Sequence, residues 1–400
     1  MARRVFLHVG SPKTGTTFLQ DVLWSQRDLA RQQGLLLPLE AFFDHYLATL
    51  DVRDVEPQQA DVERAKDVWS RIVAASRQWH GDVLVSHELF APATAAQAQR
   101  AVAAFGSDAE VHLVLTARDL VRQIPAEWQE HVKHRSTARF DDFVDDLRRE
   151  DPRTWFWRVQ DFPDVLRRWG STLPRERVHV VTVPPPGQPP SLLWERFAGL
   201  LGIDASSFTT TGLKANTSLG YEQAELLRRV NVELGDRLPM PGAYAPDVKN
   251  VFAERILSRQ PGAKLALGGE RLDYAVKRSE QLADGLRELG VNVIGDLAEL
   301  VPDPGQGALH QPPVEPSSDV LWQESLTALA GLLEEFSGLR RRAHRERQEL
   351  DRLRELEREM RDRPAKHLLR GLSERWAWAG KARAAARRTR ERLRADRRGT

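Results

Sequence analysis

The chain has 400 residues, 41% hydrophobic and 29% charged, with a net charge of only +2. That length exceeds what one core usually organises, so a large α/β domain with an appendage, or two domains, is expected; the near-neutral total excludes binding of polyanions by bulk charge. There are no cysteines, which excludes disulfides and thiolate metal centres. No apolar run approaches the roughly 18 residues of a spanning helix, and the short start before the first strand lacks a signal peptide's apolar core. The expected compartment is the cytoplasm.

The first twenty residues, MARRVFLHVGSPKTGTTFLQ, organise the rest. VFLHV at residues 5–9 is an apolar run of strand character, residues 10–15 form a turn rich in Gly, Pro, Ser and Thr, and an amphipathic helix is expected from Thr16. Strand, tight loop and helix in that order aim backbone N–H groups and a helix N-terminus at one spot, and Lys13 adds a full positive charge. The ligand expected there is a phosphate. Gly10 and Gly15 have the separation of a Walker A loop, but Thr16 and Thr17 stand where Lys and Ser/Thr belong, and the lysine lies inside the loop.

PKTGTTFLQ, residues 12–20, resembles the 5′-phosphosulfate loop (PKxGTTxL) of sulfotransferases that use 3′-phosphoadenylyl sulfate, PAPS. The resemblance implies a mainly parallel twisted α/β sheet flanked by helices, and PAPS as co-substrate with no metal. It assigns Ser11, Pro12, Lys13, Thr14, Gly15, Thr16 and Thr17 to the cofactor, with Lys13 also catalytic. A helix start without a ligand is the bland alternative, against which the lysine and paired threonines count.

Further along, residues 17–33 suit a helix with Leu19, Val22, Leu23 and Leu29 on one side, stopped by Gly34. Residues 35–38 suit a short strand, and residues 41–79 are helical in pattern. DVLVS at residues 82–86 reads as a second buried strand ending in His87 and Glu88. Ligands gather at the carboxyl ends of parallel strands, so both are candidates for the general base that must take a proton from the acceptor. Glu88 is preferred because the carbohydrate sulfotransferases it resembles use a Glu after this strand, whereas the cytosolic small-molecule enzymes use a His. Neighbours in an extended segment point to opposite sides, so only one faces the site. A cap or an arginine partner is the alternative role for Glu88.

VHLVLT at residues 111–116 reads as the next strand, followed by Arg118 and a helix to about His134. This resembles the family's 3′-phosphate element, an Arg after the strand and a Ser eight residues on. Arg118 matches, but the eighth residue is Ala126; Arg122 and Gln129 share its helix face and are candidate donors. The alternative for Arg118 is an ion pair with Asp119 or Glu127. Trp128 and the aromatic cluster at residues 155–162 suit core packing rather than an acceptor platform.

Residues 140–169 suit two helices broken near Pro152, RVHVVTV at residues 177–183 suits a strand, and residues 191–201 a helix ended by Gly202. LKANTSL at residues 213–219 resembles the nucleotide-closing loop of related bacterial enzymes, which assigns Lys214, Asn216 and Ser218 to the cofactor; an N-cap from Thr217 or Ser218 is the competing role. Residues 236–262 read as irregular, a lid or acceptor loop. A helix at residues 270–289 and a short strand at residues 291–297 close the body.

The domain plan is a catalytic body over residues 1–304, a linker over residues 305–319, and a helical, basic extension over residues 320–400. From residue 340 onward there are 22 Lys and Arg against 10 Asp and Glu, which leaves −10 for the rest. The extension suits a short coiled coil or helical arm, and its last part a partner-binding helix or one lying on an anionic membrane surface; no nucleic-acid module accompanies the charge. The expected function is sulfuryl transfer from PAPS to a hydroxyl or amine of a glycan, glycolipid or small metabolite. A kinase-like phosphotransferase and a non-catalytic adaptor are the alternatives.

Overall fold

The computed structural model describes residues 2–107, 109–212, 218–240, 242–302 and 315–362, with a few residues between 381 and 388. Lys214, Asn216, most of the expected linker and nearly all of residues 365–400 lie outside the described residues.

Six strands form where β-branched and apolar residues cluster: β1 Arg4–His8, β2 Leu35–Leu36, β3 Asp82–Ser86, β4 Glu110–Ala117, β5 Val178–Thr182 and β6 Asn292–Ile294. They make one sheet in the order β2-β3-β1-β4-β5-β6, with every pairing parallel. A parallel sheet is buried on both faces, and the register shows how. Val5 and Leu7 lie beside Val83 and Val85 on one flank and Val111 and Leu113 on the other. They pack with Leu120, Ile124, Trp128 and Val132 of the helix Leu120–Lys133 and with Leu282 and Leu286 of the helix Gly269–Leu289. The alternate residues Phe6, Leu84, Val114 and Val181 meet Leu19, Val22 and Leu23 of the helix Thr16–Ser25 and Trp194, Phe197 and Leu201 of the helix Leu192–Leu201. Each such buried side chain contributes about 1.5–3 kcal/mol. Trp128 is wholly buried, a core residue as its helix spacing suggests.

Several helices differ from expectation. The helix after the first loop is two, Thr16–Ser25 and Arg27–Gln32, broken at Gln26, whose backbone leaves the helical region. Residues 140–169 form three helices, because Asp161 caps a new one at Phe162–Gly170 through its bond from the N–H of Asp164. The stretch read as irregular holds a twelve-residue π-helix, Ala245–Ile256, with Pro246 in its first turn, where a missing N–H is not felt. It forms because Val248, Phe252, Ala253 and Ile256 have a core to enter. The start of the C-terminal extension is one long helix, Ser318–Asp362, which runs through Gly338 without a break.

The chain divides into two compact units, Met1–Ala328 and Leu329–Thr400. Within the first, Leu321 and Ala328 are buried, and Glu324 accepts a hydrogen bond from Gln223 (2.7 Å). Among the described residues no helix is long and apolar enough to cross a membrane.

Candidate functional site

In this strand order β2 and β3 lie on one side of β1 and β4 to β6 on the other. The chain thus winds both ways from β1, and its carboxyl end opens a crevice. The loop from Gly10 to Gly15 fills that place. Gly10, Lys13 and Gly15 all have positive φ (131°, 61° and 86°). A Cβ on Gly10 would lie 3.2 Å from the Glu88 carbonyl oxygen, so the loop's base rests on the segment that carries Glu88; one on Gly15 would meet Leu193 at 2.5 Å.

The loop is pinned from below. The Ser11 hydroxyl donates to the Val159 carbonyl (2.7 Å) and its N–H to the Thr116 carbonyl (3.1 Å). The hydroxyls of Thr14 and Thr116 bond to each other, and that of Thr116 also donates to the Gly10 carbonyl (3.0 Å). The Pro12 carbonyl accepts from Gln123 (2.7 Å) and Gln160 (3.1 Å). Ser11, Pro12 and Thr14 therefore shape the loop through buried bonds. Thr16 and Thr17 begin the helix, whose cap residue Gly15 has no side chain to accept its first N–H groups; an anion satisfies such groups.

Above the loop, three lysines converge on one carboxylate. Glu130 lies 2.5 Å from Lys13 Nζ, 2.9 Å from Lys133 Nζ, 3.0 Å from Lys249 Nζ and 3.1 Å from His134 Nε2. Burial alone would raise the Glu130 carboxyl, but the His134 bond and the three ammonium charges outweigh it and hold it far below the usual carboxylate range. Burial and the Lys13 charge lower Lys133. The spot carries a surplus of positive charge in a partly desolvated place, where charge acts strongly. Glu130 and Lys133 stand one turn apart on their helix, whereas Lys249 comes from the π-helix and nothing local in the sequence points to it.

The helix after β4 presses one face on the loop. Glu127 is buried and accepts from Gln160 (2.8 Å) and Gln123 (3.4 Å); burial pushes its carboxyl up to about 7 despite the nearby Lys13 charge. Arg118, half-buried, donates to Gln123 Oε1 (2.9 Å) and to the Arg122 carbonyl (3.2 Å). Burial and the Arg122 charge pull it down to about 10. Asp119 pairs with Arg122 rather than with Arg118, and Arg122 also donates to the carbonyls of Pro184 (2.8 Å) and Val183 (3.3 Å). Arg122 thus ties the helix to the segment after β5. Gln129 donates to the Leu219 carbonyl (2.9 Å), and Ala126 offers no hydroxyl. Ser218 is exposed, and the cap of the helix Tyr221–Leu234 is Gly220 rather than Thr217 or Ser218.

At the end of β3, His87 Nδ1 and Glu88 Oε2 lie 3.9 Å apart, closer than the opposite sides expected of an extended segment, yet their surroundings differ. His87 is buried, its ring stacked 5.3 Å from Phe42 and tilted against Tyr46 at 5.7 Å, and its Nδ1 accepts the Leu89 N–H (3.1 Å). Burial, against the opposing charge of Glu88, lowers its pKa. With Nδ1 accepting from the backbone, the neutral form of the ring carries its proton on Nε2. The Glu88 carboxylate, a quarter exposed, receives the Gln20 amide (3.4 Å). Gln20 also donates to Ser86 Oγ (3.1 Å), which bonds His8 Nδ1 (2.8 Å). This buried chain joins Glu88 to β1 and the loop helix; Gln20 and His8 carry no sequence signal beyond adjacency to the loop.

A separate cavity of about 200 Å³ is lined by Arg139, Tyr221, Glu225, Arg271 and Glu315 among others, and by none of these candidates.

No family model matches this chain, and no curated protein matches it. Among solved structures it is similar to a sulfotransferase from Alicyclobacillus acidocaldarius at 18% identity and a TM-score of 0.35, over 64% of this chain and 96% of that one.

Proposed function

We propose that the chain is a PAPS-dependent sulfotransferase acting on a hydroxyl or amine of a glycan, glycolipid or small metabolite. The observation that carries this reading is the meeting of Lys13, Lys133 and Lys249 beside an uncapped helix N-terminus, in a loop that reads PKTGTT. That donor set fits a doubly anionic phosphosulfate: full cations above, backbone N–H groups and the Thr16 and Thr17 hydroxyls at the helix start.

Arg118, beside the loop through Gln123, would hold the 3′-phosphate, with Lys214, Asn216 and Ser218 proposed to close over the nucleotide. When bound, PAPS supplies an activated sulfuryl group, whose bond to the 5′-phosphate breaks as the acceptor atom bonds sulfur, the electron pair leaving on the phosphate oxygen. Lys13 then offsets charge growing at that oxygen, the electrostatic contribution usually worth most. Glu88 takes the acceptor proton, held by Gln20 with its carboxylate open to solvent; His87, whose Nδ1 is spent on the backbone, packs beneath Phe42 and Tyr46.

Calorimetric titration with adenosine 3′,5′-bisphosphate, beside AMP and Mg-ATP and repeated on Arg118→Ala, tests the reading. Bisphosphate binding that weakens at least tenfold in the variant supports it. Binding of Mg-ATP alone returns the kinase-like reading. Bisphosphate binding without turnover of PAPS returns the adaptor reading, which Ala126 at the clamp position favours.

A further inference from the structure

The second unit presents a patterned surface. Along the helix Ser318–Asp362, Leu332, Phe336, Leu339, Leu350 and Leu353 are 37–64% exposed. Their spacing of four and three residues is that of a heptad seam, with Phe336, Ala343 and Leu350 in one row (a) and Leu332, Leu339 and Leu353 in the other (d). Glu346 and Glu357 interrupt it, leaving two apolar blocks. A lone helix with such a stripe in water is marginal, since most helical stability comes from packing an apolar face.

The flanking charges say what covers it. One flank, the e row, is Leu333 followed by Arg340, Arg347, Arg354 and Arg361, and the other, the g row, is Glu335, Arg342, Glu349 and Leu356, with Arg342 3.1 Å from Glu335 of its own helix. In a parallel pair each g residue faces the e residue five places on in the partner helix. This sets Glu335 against Arg340 and Glu349 against Arg354, with one like pair, Arg342 against Arg347. An antiparallel pair would set Arg340 against Arg347 twice over and leave Glu335 and Glu349 without an arginine across the seam. Flanking charges of this kind fix partner and orientation.

We propose that residues 332–357 pair with the same helix of a second copy of this chain as a parallel two-stranded coiled coil, making the protein a dimer. The proposal is independent of the catalytic reading.

Light scattering on the full chain should give twice the 45.4 kDa of one copy, and Phe336→Glu with Leu350→Glu should halve it. Both residues are exposed, so the change leaves the first unit folded. Orientation is read with Leu353→Cys in a chain that has no cysteine of its own. In the parallel pair the two new thiols face each other across the d row and oxidise to a covalent dimer; in the antiparallel pair they stand about 25 Å apart. A monomeric parent, as when the stripe is covered by residues 363–400 of the same chain, overturns the proposal. So does a dimer that survives the double substitution, or one that L353C fails to link.

Discussion

The ammonium of Lys13 sits 2.5 Å from Oε2 of Glu130, a residue 117 positions further along the chain. The lysine of the loop thus already has a counter-ion, a carboxylate from the neighbouring helix that it shares with Lys133 and Lys249. An anion bound at this loop, as proposed, would replace a resident counter-ion rather than meet bare cations.

Glu130→Gln should therefore lower thermal stability without ligand, by about 1–3 kcal/mol for a partly buried pair left unmatched. It should also bind adenosine 3′,5′-bisphosphate several-fold more tightly. The depressed carboxyl contributes stability that is full above its unfolded pKa, near 4.5, and is lost as pH falls below it toward the folded value. The variant should show a shallower acid limb in a melting-temperature series. Unchanged stability together with unchanged affinity would show that the carboxylate competes with nothing.

Glu88→Gln should reduce turnover of PAPS by 10²–10⁴, the usual range for a lost general base, while bisphosphate affinity is kept. His87→Phe, which preserves the stack on Phe42, should retain turnover within about tenfold. The reverse pattern in steady-state rates would move the base to the histidine.

Glu127 titrates in the opposite sense to Glu130. Its carboxyl is raised to about 7, so the stability tied to its protonated form is full below its unfolded pKa, near 4.5, and is lost as pH rises through about 7. Glu127→Gln keeps an oxygen for Gln160 and removes the charge. Between pH 5 and 8 it should lose less stability than the parent, by up to roughly 3 kcal/mol. Denaturant unfolding at the two pH values measures this, and identical pH slopes would exclude a buried titrating carboxyl.

Gly15→Ala places a Cβ 2.5 Å from Leu193 in a residue with φ of 86°. The expected cost is about 1–3 kcal/mol, seen as a lower unfolding midpoint. Adding Leu193→Ala removes the clash but not the backbone strain, so recovery should be partial. Full recovery would assign the whole effect to the side chain.

The loop was legible in the sequence because its residues adjoin one another. Gly10, Lys13, Gly15 and Thr16 announce strand, turn and helix within a dozen positions, and each strand of the sheet carries its own apolar run. What surrounds the loop was not legible, because it is assembled over distance. Gln160 reaches Pro12 across 148 residues and Lys249 reaches Glu130 across 119; nothing local marks either. The break at Gln26 involves neither Gly nor Pro. The π-helix hides in a Pro-rich stretch because its drive is the burial of Phe252 and Ile256 rather than local propensity.

The helix Leu120–Lys133 gives the site a common phase. Gln123, Glu127 and Glu130 touch or neighbour the loop because they recur every three or four residues, close to the 3.6 of one turn. Insertion of a single residue after Arg122 would rotate all three by about 100° at once. The Pro12 carbonyl, the buried carboxyl and the lysine counter-ion would be lost together, whereas point substitutions remove them singly. The chain can vary each contact alone, but it cannot gain or lose a residue between β4 and Gln123 within this helix without dismantling the whole set.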